Sequence, residues 1–220
     1  MKANKKDIKE IAVIALKLLV ICAIVAALVA SVNLITKDRI VLNQKIKTAE
    51  ALTDINKADG LFFSVDAEGN YSVTDKDGNT AGSCVMAETE LATDIDAVYI
   101  VSDNLGNVLS YCVEASPMGF KNEVGIIVAV NPDRTIKDVQ IVSLSDTKGI
   151  GDKVTDPSYL ALFKGKIMGF AENSDSLKAT GLIIAGATRT SEPVSKAVDT
   201  AVRQVNQIID AEGGVMTIEK

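Results

Sequence analysis

The sequence contains no histidine and no tryptophan, and only four tyrosines and five phenylalanines among 220 residues. Without histidine, Ser-His-Asp and Cys-His nucleophile activation, bis-histidine haem ligation and the usual mixed histidine/carboxylate zinc sites are excluded. So few rings also argue against an aromatic-lined groove for sugars or nucleic acid. The three cysteines, Cys22, Cys84 and Cys112, are too scattered for a zinc site or a disulfide framework. Cys84 and Cys112 either pair in an exported domain or stay as buried thiols. Any redox chemistry in this chain therefore needs an organic cofactor.

Basic charge is scarce beyond the N-terminal segment. Residues 1–47 hold nine Lys/Arg against three Asp/Glu, which leaves fourteen against twenty-six for residues 48–220. Net charges of +6 and −12 follow, so the larger part does not suit a nucleic acid, and the basic segment suits a membrane surface.

Between residues 18 and 36 there is no charge at all. At about 1.5 Å per residue such a helix is roughly 28 Å long, close to the hydrocarbon thickness of a bilayer. Residues 11–16 extend the apolar run, and the aliphatic stem of Lys17 can carry its charge to the headgroups. A cleaved signal peptide is the competing reading, but the run is longer than a signal core and no small-x-small site closes it before Lys37. Lysines and arginines flank the span almost equally, so the positive-inside rule does not orient it. The short N-terminal tail makes a cytoplasmic N-terminus with an exported domain easy, and the bulk of the chain is expected on the extracytoplasmic side of the cell membrane.

The pattern after the span predicts one α+β domain, a twisted antiparallel sheet with flanking helices. Ile40, Val41, Ile46, Ala49, Leu52 and Ile55 recur at helical spacing, which predicts a membrane-proximal helix to about residue 58. Three D-x-x-G-N segments, starting at Asp66, Asp75 and Asp103, read as hairpin turns closed by Asx hydrogen bonds. The calcium-loop alternative fails on spacing and lacks a closing glutamate. Residues 98–101 with 108–113 form one predicted hairpin, and 123–130 with 136–144 a second, turned at Asn131-Pro132-Asp133-Arg134. The dense Val and Ile of the second pair predict the centre of the sheet. A short helix is expected at 159–163, and a long one at 191–210 with Val194, Ala197, Val198, Ala201, Val202, Val205, Ile208 and Ile209 on its core face.

Two glycine-containing loops could carry chemistry. Gly186-Ala187-Thr188-Arg189-Thr190 places small residues and hydroxyls just before the long helix, whose N-terminal N–H groups and dipole favour an anion. An ordinary helix start, with Thr190-Ser191-Glu192-Pro193 as cap and first-turn proline, is the plainer reading of the same residues. Ser145-Asp146-Thr147-Lys148-Gly149-Ile150-Gly151 follows a strand, yet it lacks the third glycine and the long helix of a dinucleotide fingerprint. Lys164-Gly165-Lys166 is not a phosphate-binding P-loop.

Three features occur in order: one N-terminal span, D-T-x-G-I-G after a paired strand, and G-A-T-x-T-S before the last helix. Together they resemble the FMN-binding subunit family that includes the G subunit of the Rnf electron-transport complex and the C subunit of the sodium-translocating NADH:quinone reductase. Phe163-Lys164-Gly165-Lys166 and Gly119-Phe120 also stand where such proteins carry similar residues. Ala185, Leu182, Lys148 and Ile150 depart from the family's usual choices.

The resemblance implies FMN joined by a phosphoester to Thr190, attached by a flavin transferase. Gly186, Ala187 and Thr188 would then frame the phosphate and ribityl chain, and Asp146, Thr147, Gly149, Ile150 and Gly151 would lie against the ring. With the helices read above, the expected division is a cytoplasmic tail at 1–10, a transmembrane helix at 11–36, a membrane-proximal helix at 37–58 and, as the resemblance implies, an FMN-binding domain at 59–220. The function implied is electron transfer within an ion-translocating ferredoxin:NAD⁺ oxidoreductase, without NAD bound to this chain. Other membrane and redox subunits, the transferase and lipid would be its partners. The compact chain favours the Rnf subunit over the quinone-reductase relative, and a membrane-anchored binding domain without flavin is the alternative outside this family.

Overall fold

The computed structural model describes residues 5–66, 68–146 and 148–215. Thr147, expected against the ring, lies outside the described residues, as does the Lys2 end of the N-terminal tail. The chain divides into two compact units after Lys45.

The first unit is helical, being the greater part of helix α1 (Lys5–Asn56). Among the described residues this is the one helix long and apolar enough to cross a membrane. Its side chains from 13 to 37 are exposed all round, which an apolar helix tolerates when lipid is the solvent. Two hydroxyls of the stretch bond back to the helix: Ser31 donates to the Ala27 carbonyl at 2.7 Å and Thr36 to that of Val32 at 2.8 Å. Their hydrogen-bonding groups are therefore satisfied within the helix, as a hydrocarbon environment requires.

The second unit is built on a seven-stranded antiparallel meander: β1 Phe62–Val65, β2 Tyr71–Thr74, β3 Thr80–Met86, β4 Ile95–Asp103, β5 Val108–Ala115, β6 Val124–Val130 and β7 Ile136–Leu144, in that spatial order. The expected hairpins are β4 with β5 and β6 with β7. Period-two alternation sends Val98, Tyr111, Val113, Ile126 and Val128 to one face, and Tyr99, Val101, Cys112, Ile127 and Ala129 to the other. Helix α4 (Thr188–Val215) covers the first face with Val194, Val198, Ala201, Val202 and Val205. The last turns of α1 cover the second with Ala49, Leu52 and Ile55.

This arrangement corrects one expectation. The β6–β7 pair is not the centre of the sheet, because β7 is an edge strand. The Val/Ile density of β6 reflects burial on both faces, with six of its seven residues buried, and a residue pattern cannot separate that from a central rank. The start of the β7 edge is covered by the Lys164-Gly165-Lys166 segment. Gly165 donates to the Ile136 carbonyl at 2.8 Å, and Ile136 donates to the Lys166 carbonyl at 2.9 Å.

The three D-x-x-G-N segments are the turns β1–β2, β2–β3 and β4–β5. Asp75 Oδ1 accepts from the backbone N–H of Asp77 and Asn79, and Asp103 Oδ1 from those of Leu105 and Asn107. Hydrogen bonds from the side chains and then the backbone of Asn79 and Asn107 hold these two carboxyls below their usual range, while the backbone of Asn70 does most for Asp66. A depressed folded-state value gives stability that is complete above the unfolded value of about 3.9 and is lost as pH falls through the folded one. Asp75→Ala and Asp103→Ala should each lower the melting temperature of the full chain in detergent at pH 7, and the loss should shrink progressively as pH is taken below about 3.9; a loss that does not change with pH would contradict this origin.

Cys84 and Cys112 are both free thiols. Burial pushes Cys112 up to about 11 and Cys84 up to about 12, so neither is a ready thiolate at neutral pH.

Candidate cofactor site

The second unit carries its candidate site where the end of β7, the β5–β6 connection and the start of α4 converge. After β7 the chain passes through Asp146 and a turn at residues 148–150 into a 3₁₀ segment, Gly151–Thr155. The β5–β6 connection is fastened to it by Asn122, whose side-chain amide donates to the Ser145 carbonyl at 2.9 Å. Helix α2 (Pro157–Leu160) opens with Asp156 accepting from the Ser158 N–H, and proline occupies its first turn.

The third segment, 182–187, is clamped onto α4. The Tyr159 hydroxyl lies 3.1 Å from the Leu182 carbonyl, 3.3 Å from that of Ser191 and 3.2 Å from the Ser195 hydroxyl. Burial pushes that phenol up to about 12, so it stays a neutral hydrogen-bonding group. Ser191 Oγ accepts the Ile184 N–H at 3.0 Å. Glu192 accepts from Ser174 of helix α3 (Ser174–Ala179) and from Lys196, which ties α3 to the same end of α4. Leu182 is fully buried core.

The long helix begins earlier than its Ser/Thr/Pro signals suggest. Thr188 is its first residue, so Thr190 sits inside the first turn rather than capping it, and Pro193 falls in the second turn. Ala187 takes the cap position: its carbonyl accepts the Ser191 N–H at 2.9 Å, but its methyl group offers no cap to the helix. Among the described residues no acceptor faces the backbone N–H of Thr188 or Arg189. Those groups and the dipole they terminate form an anion-binding end.

Beside that end lies a cavity of about 290 Å³ lined by Phe120, Ile150, Gly186, Ala187, Thr188, Arg189 and Thr190. Gly186 has φ +82°, and a Cβ there would meet nothing within 4 Å; the backbone conformation, rather than space, requires glycine. The Arg189 guanidinium stacks over the Phe120 ring at 5.2 Å. Thr190 is 1% exposed, and its hydroxyl donates to Asp146 Oδ2 at 2.5 Å.

The structure thus brings Asp146, Ile150, Gly186, Ala187, Thr188 and Thr190 together from two distant stretches of sequence. Gly151 is packed behind Asp146 rather than facing the cavity, and Gly149 does not line it. Phe120 and Arg189 line the cavity without having been singled out as site residues. Gly119-Phe120 was visible as a motif, but nothing in its local sequence indicated a neighbour 69 residues away.

An apolar wall of Phe120, Ile150 and Ala187, a guanidinium and an anion-binding helix end fit a flat ring carrying a phosphate. That combination suits a nucleotide-like cofactor with a flat ring and a phosphate, on a chain with a helix of membrane-spanning length. Residues 119–203 match the sequence profile of the FMN-binding domain, and residues 1–55 that of the RnfG N-terminal region.

The chain is 28% identical over 204 residues to the G subunit of the ion-translocating oxidoreductase complex of Methanosarcina acetivorans, covering 91% of this chain and 97% of that protein. It is 33% identical over 103 residues to the G subunit of the proton-translocating ferredoxin:NAD(+) oxidoreductase complex of Clostridium ljungdahlii, covering 44% and 54%. Among solved structures it is similar to Shewanella oneidensis NqrC, with 26% identity, a TM-score of 0.38 and coverage of 56% and 69%. Residues 119–203 thus match an FMN-binding domain and residues 1–55 an RnfG N-terminal region, and along most of its length the chain is similar to a G subunit of an ion-translocating oxidoreductase complex.

Proposed function

We propose that the chain is the FMN-carrying electron-transfer subunit of a membrane Rnf complex, an ion-translocating ferredoxin:NAD⁺ oxidoreductase, with the flavin joined by a phosphoester to Thr190. The observation that carries this reading is the position of Thr190, a residue lining a cavity at the anion-binding end of α4. The N–H groups of Thr188 and Arg189 would hold the phosphate. Phe120 and Ile150 would take the ring face, Gly186 and Ala187 would leave room for the connecting chain, and Arg189 would place a positive charge beside it. Bound there, FMN supplies one- and two-electron transfer that no side chain of this histidine-free protein provides. The protein contributes position, an apolar wall for the ring, and one cation.

A flavin transferase would load the chain, the other subunits would give and take electrons, and lipid would surround the span. The test is fluorescence of the denatured full chain after co-production with a flavin transferase. The reading predicts flavin that stays with the chain on a denaturing gel; a dark band from a fully loaded preparation would overturn it.

The domain is assigned to the extracytoplasmic side. In a background with Cys22, Cys84 and Cys112 replaced by alanine, Lys76→Cys at the exposed β2–β3 turn should react with a membrane-impermeant maleimide added to intact cells. Protection until the cells are broken would reverse the orientation.

A further inference from the structure

The carboxylate of Asp146 is held in a fitted recess against Thr190. A Cβ on Gly151 would fall 2.4 Å from both the Asp146 carboxyl carbon and Oδ2, so only glycine lets the 3₁₀ segment close behind that side chain. On the opposite side the Phe120 N–H lies 3.4 Å from Oδ2, and a Cβ on Gly119 would lie 3.6 Å from it. The same oxygen takes the hydrogen bond from Thr190 Oγ1. Thr190 is buried, so bulk water does not readily serve as proton acceptor at that atom.

An alcohol is a weak nucleophile until a base removes its proton, and this chain has no histidine for that task. A free phosphate monoester does not condense with an alcohol in water, so the flavin donor must be an FMN phosphoanhydride, the chemistry of a flavin dinucleotide. We propose that Asp146 is the general base of flavin attachment, a catalytic residue supplied by the acceptor protein itself. The proposal rests on Thr190 being the attached residue.

In the step, the bond from Thr190 Oγ1 to the flavin-side phosphorus forms and the anhydride P–O bond breaks. The nucleoside monophosphate leaves with the bridging oxygen and its electron pair, and the Oγ1 proton passes to Asp146. No oxidation state changes. The carboxylate becomes neutral as the phosphate arrives beside it, which removes the like-charge repulsion the product would otherwise feel. On its other side the phosphate meets the N–H groups of Thr188 and Arg189.

The experiment follows the initial rate at which purified full-length chain in detergent is labelled by a flavin transferase with flavin dinucleotide as donor. Intact mass and gel fluorescence read the label. Asp146→Asn keeps an oxygen to accept the Thr190 hydrogen bond but takes up no proton, and labelling should slow by at least about 100-fold, the usual scale of general-base catalysis. Non-covalent binding of free FMN, read by fluorescence quenching, should be retained. Gly151→Ala leaves Asp146 and Thr190 intact but drives the carboxylate away, and should slow labelling in the same direction.

Labelling of Asp146→Asn at the wild-type rate overturns the proposal and leaves the attachment site standing. If Asp146→Asn loses its fold and FMN binding, Gly151→Ala decides: unchanged labelling overturns the proposal, and slowed labelling with FMN binding kept supports it. An unlabelled wild-type chain removes the attachment reading and this inference together.

Discussion

Thr190→Ala leaves the chain without covalent flavin. The described structure offers no substitute nucleophile in the same place: of the two other hydroxyls nearby, Thr188 is exposed at the helix start, and Ser191 is turned inward to the Ile184 N–H and the Ala187 carbonyl. Thr190 alone combines a place in the cavity wall with the hydrogen bond to Asp146. The expected effect is complete loss of flavin from the denatured chain. Free FMN still binds reversibly, because the ring wall and the N–H groups of α4 are untouched. Removing the threonine methyl and hydroxyl should cost stability of only about 1–2 kcal/mol, so the variant remains folded. Fluorescent Thr190→Ala on a denaturing gel would move the attachment to another residue.

Phe163→Ala should be the most destabilising truncation near the site. Phe163 is fully buried and is first among the largest such side chains. Tyr159 and Phe170 meet its ring edge-on, at centroid distances of 5.4 and 6.0 Å. Truncation of a buried phenylalanine costs about 3–5 kcal/mol through lost transfer energy and a residual cavity. In a domain of this size each kcal/mol lowers the melting temperature by about 2–4 °C, so a fall of roughly 6–20 °C is expected in thermal unfolding of the full chain. The loss also reaches the site. Tyr159 packs on Phe163 and fastens Leu182 and Ser191, so FMN affinity should fall along with stability. A shift of under 2 °C would mean that the surroundings collapse into the space.

Elements with a strong period were legible in the amino-acid order alone. The α4 stripe from Val194 to Ile208 is the core face of that helix, and the alternation in β4 and β5 marks strands buried on both sides. What local pattern does not encode is rank within a sheet, which is why β6 looked central when only its two-sided burial is real. The start of α4 was displaced for a related reason. Thr190, Ser191 and Pro193 carry the composition of a helix start, but the cap is Ala187, and Ser191 bonds back to the entering chain from inside the first turn.

The site was legible in part. Each loop could be marked as small, polar and adjacent to a strand or helix, and their order carried the family resemblance. The pairing of Asp146 with Thr190 across 44 residues, and of Arg189 with Phe120 across 69, is set by the fold bringing the end of β7 and the β5–β6 connection to the start of α4. No spacing rule within either loop contains that information. Hence the contact between Asp146 and the threonine hydroxyl is visible only in the folded chain.

The central claim is that one hydroxyl, that of Thr190, holds the redox group of this protein. Peptide mass spectrometry of the wild-type chain co-produced with a flavin transferase tests it most directly. The account predicts that the peptide containing Thr190 is heavier by one FMN less one water, with the fragment ions placing the addition on that residue. An unmodified Thr190 in chain that carries flavin elsewhere, or in fully processed chain that carries none, would contradict it.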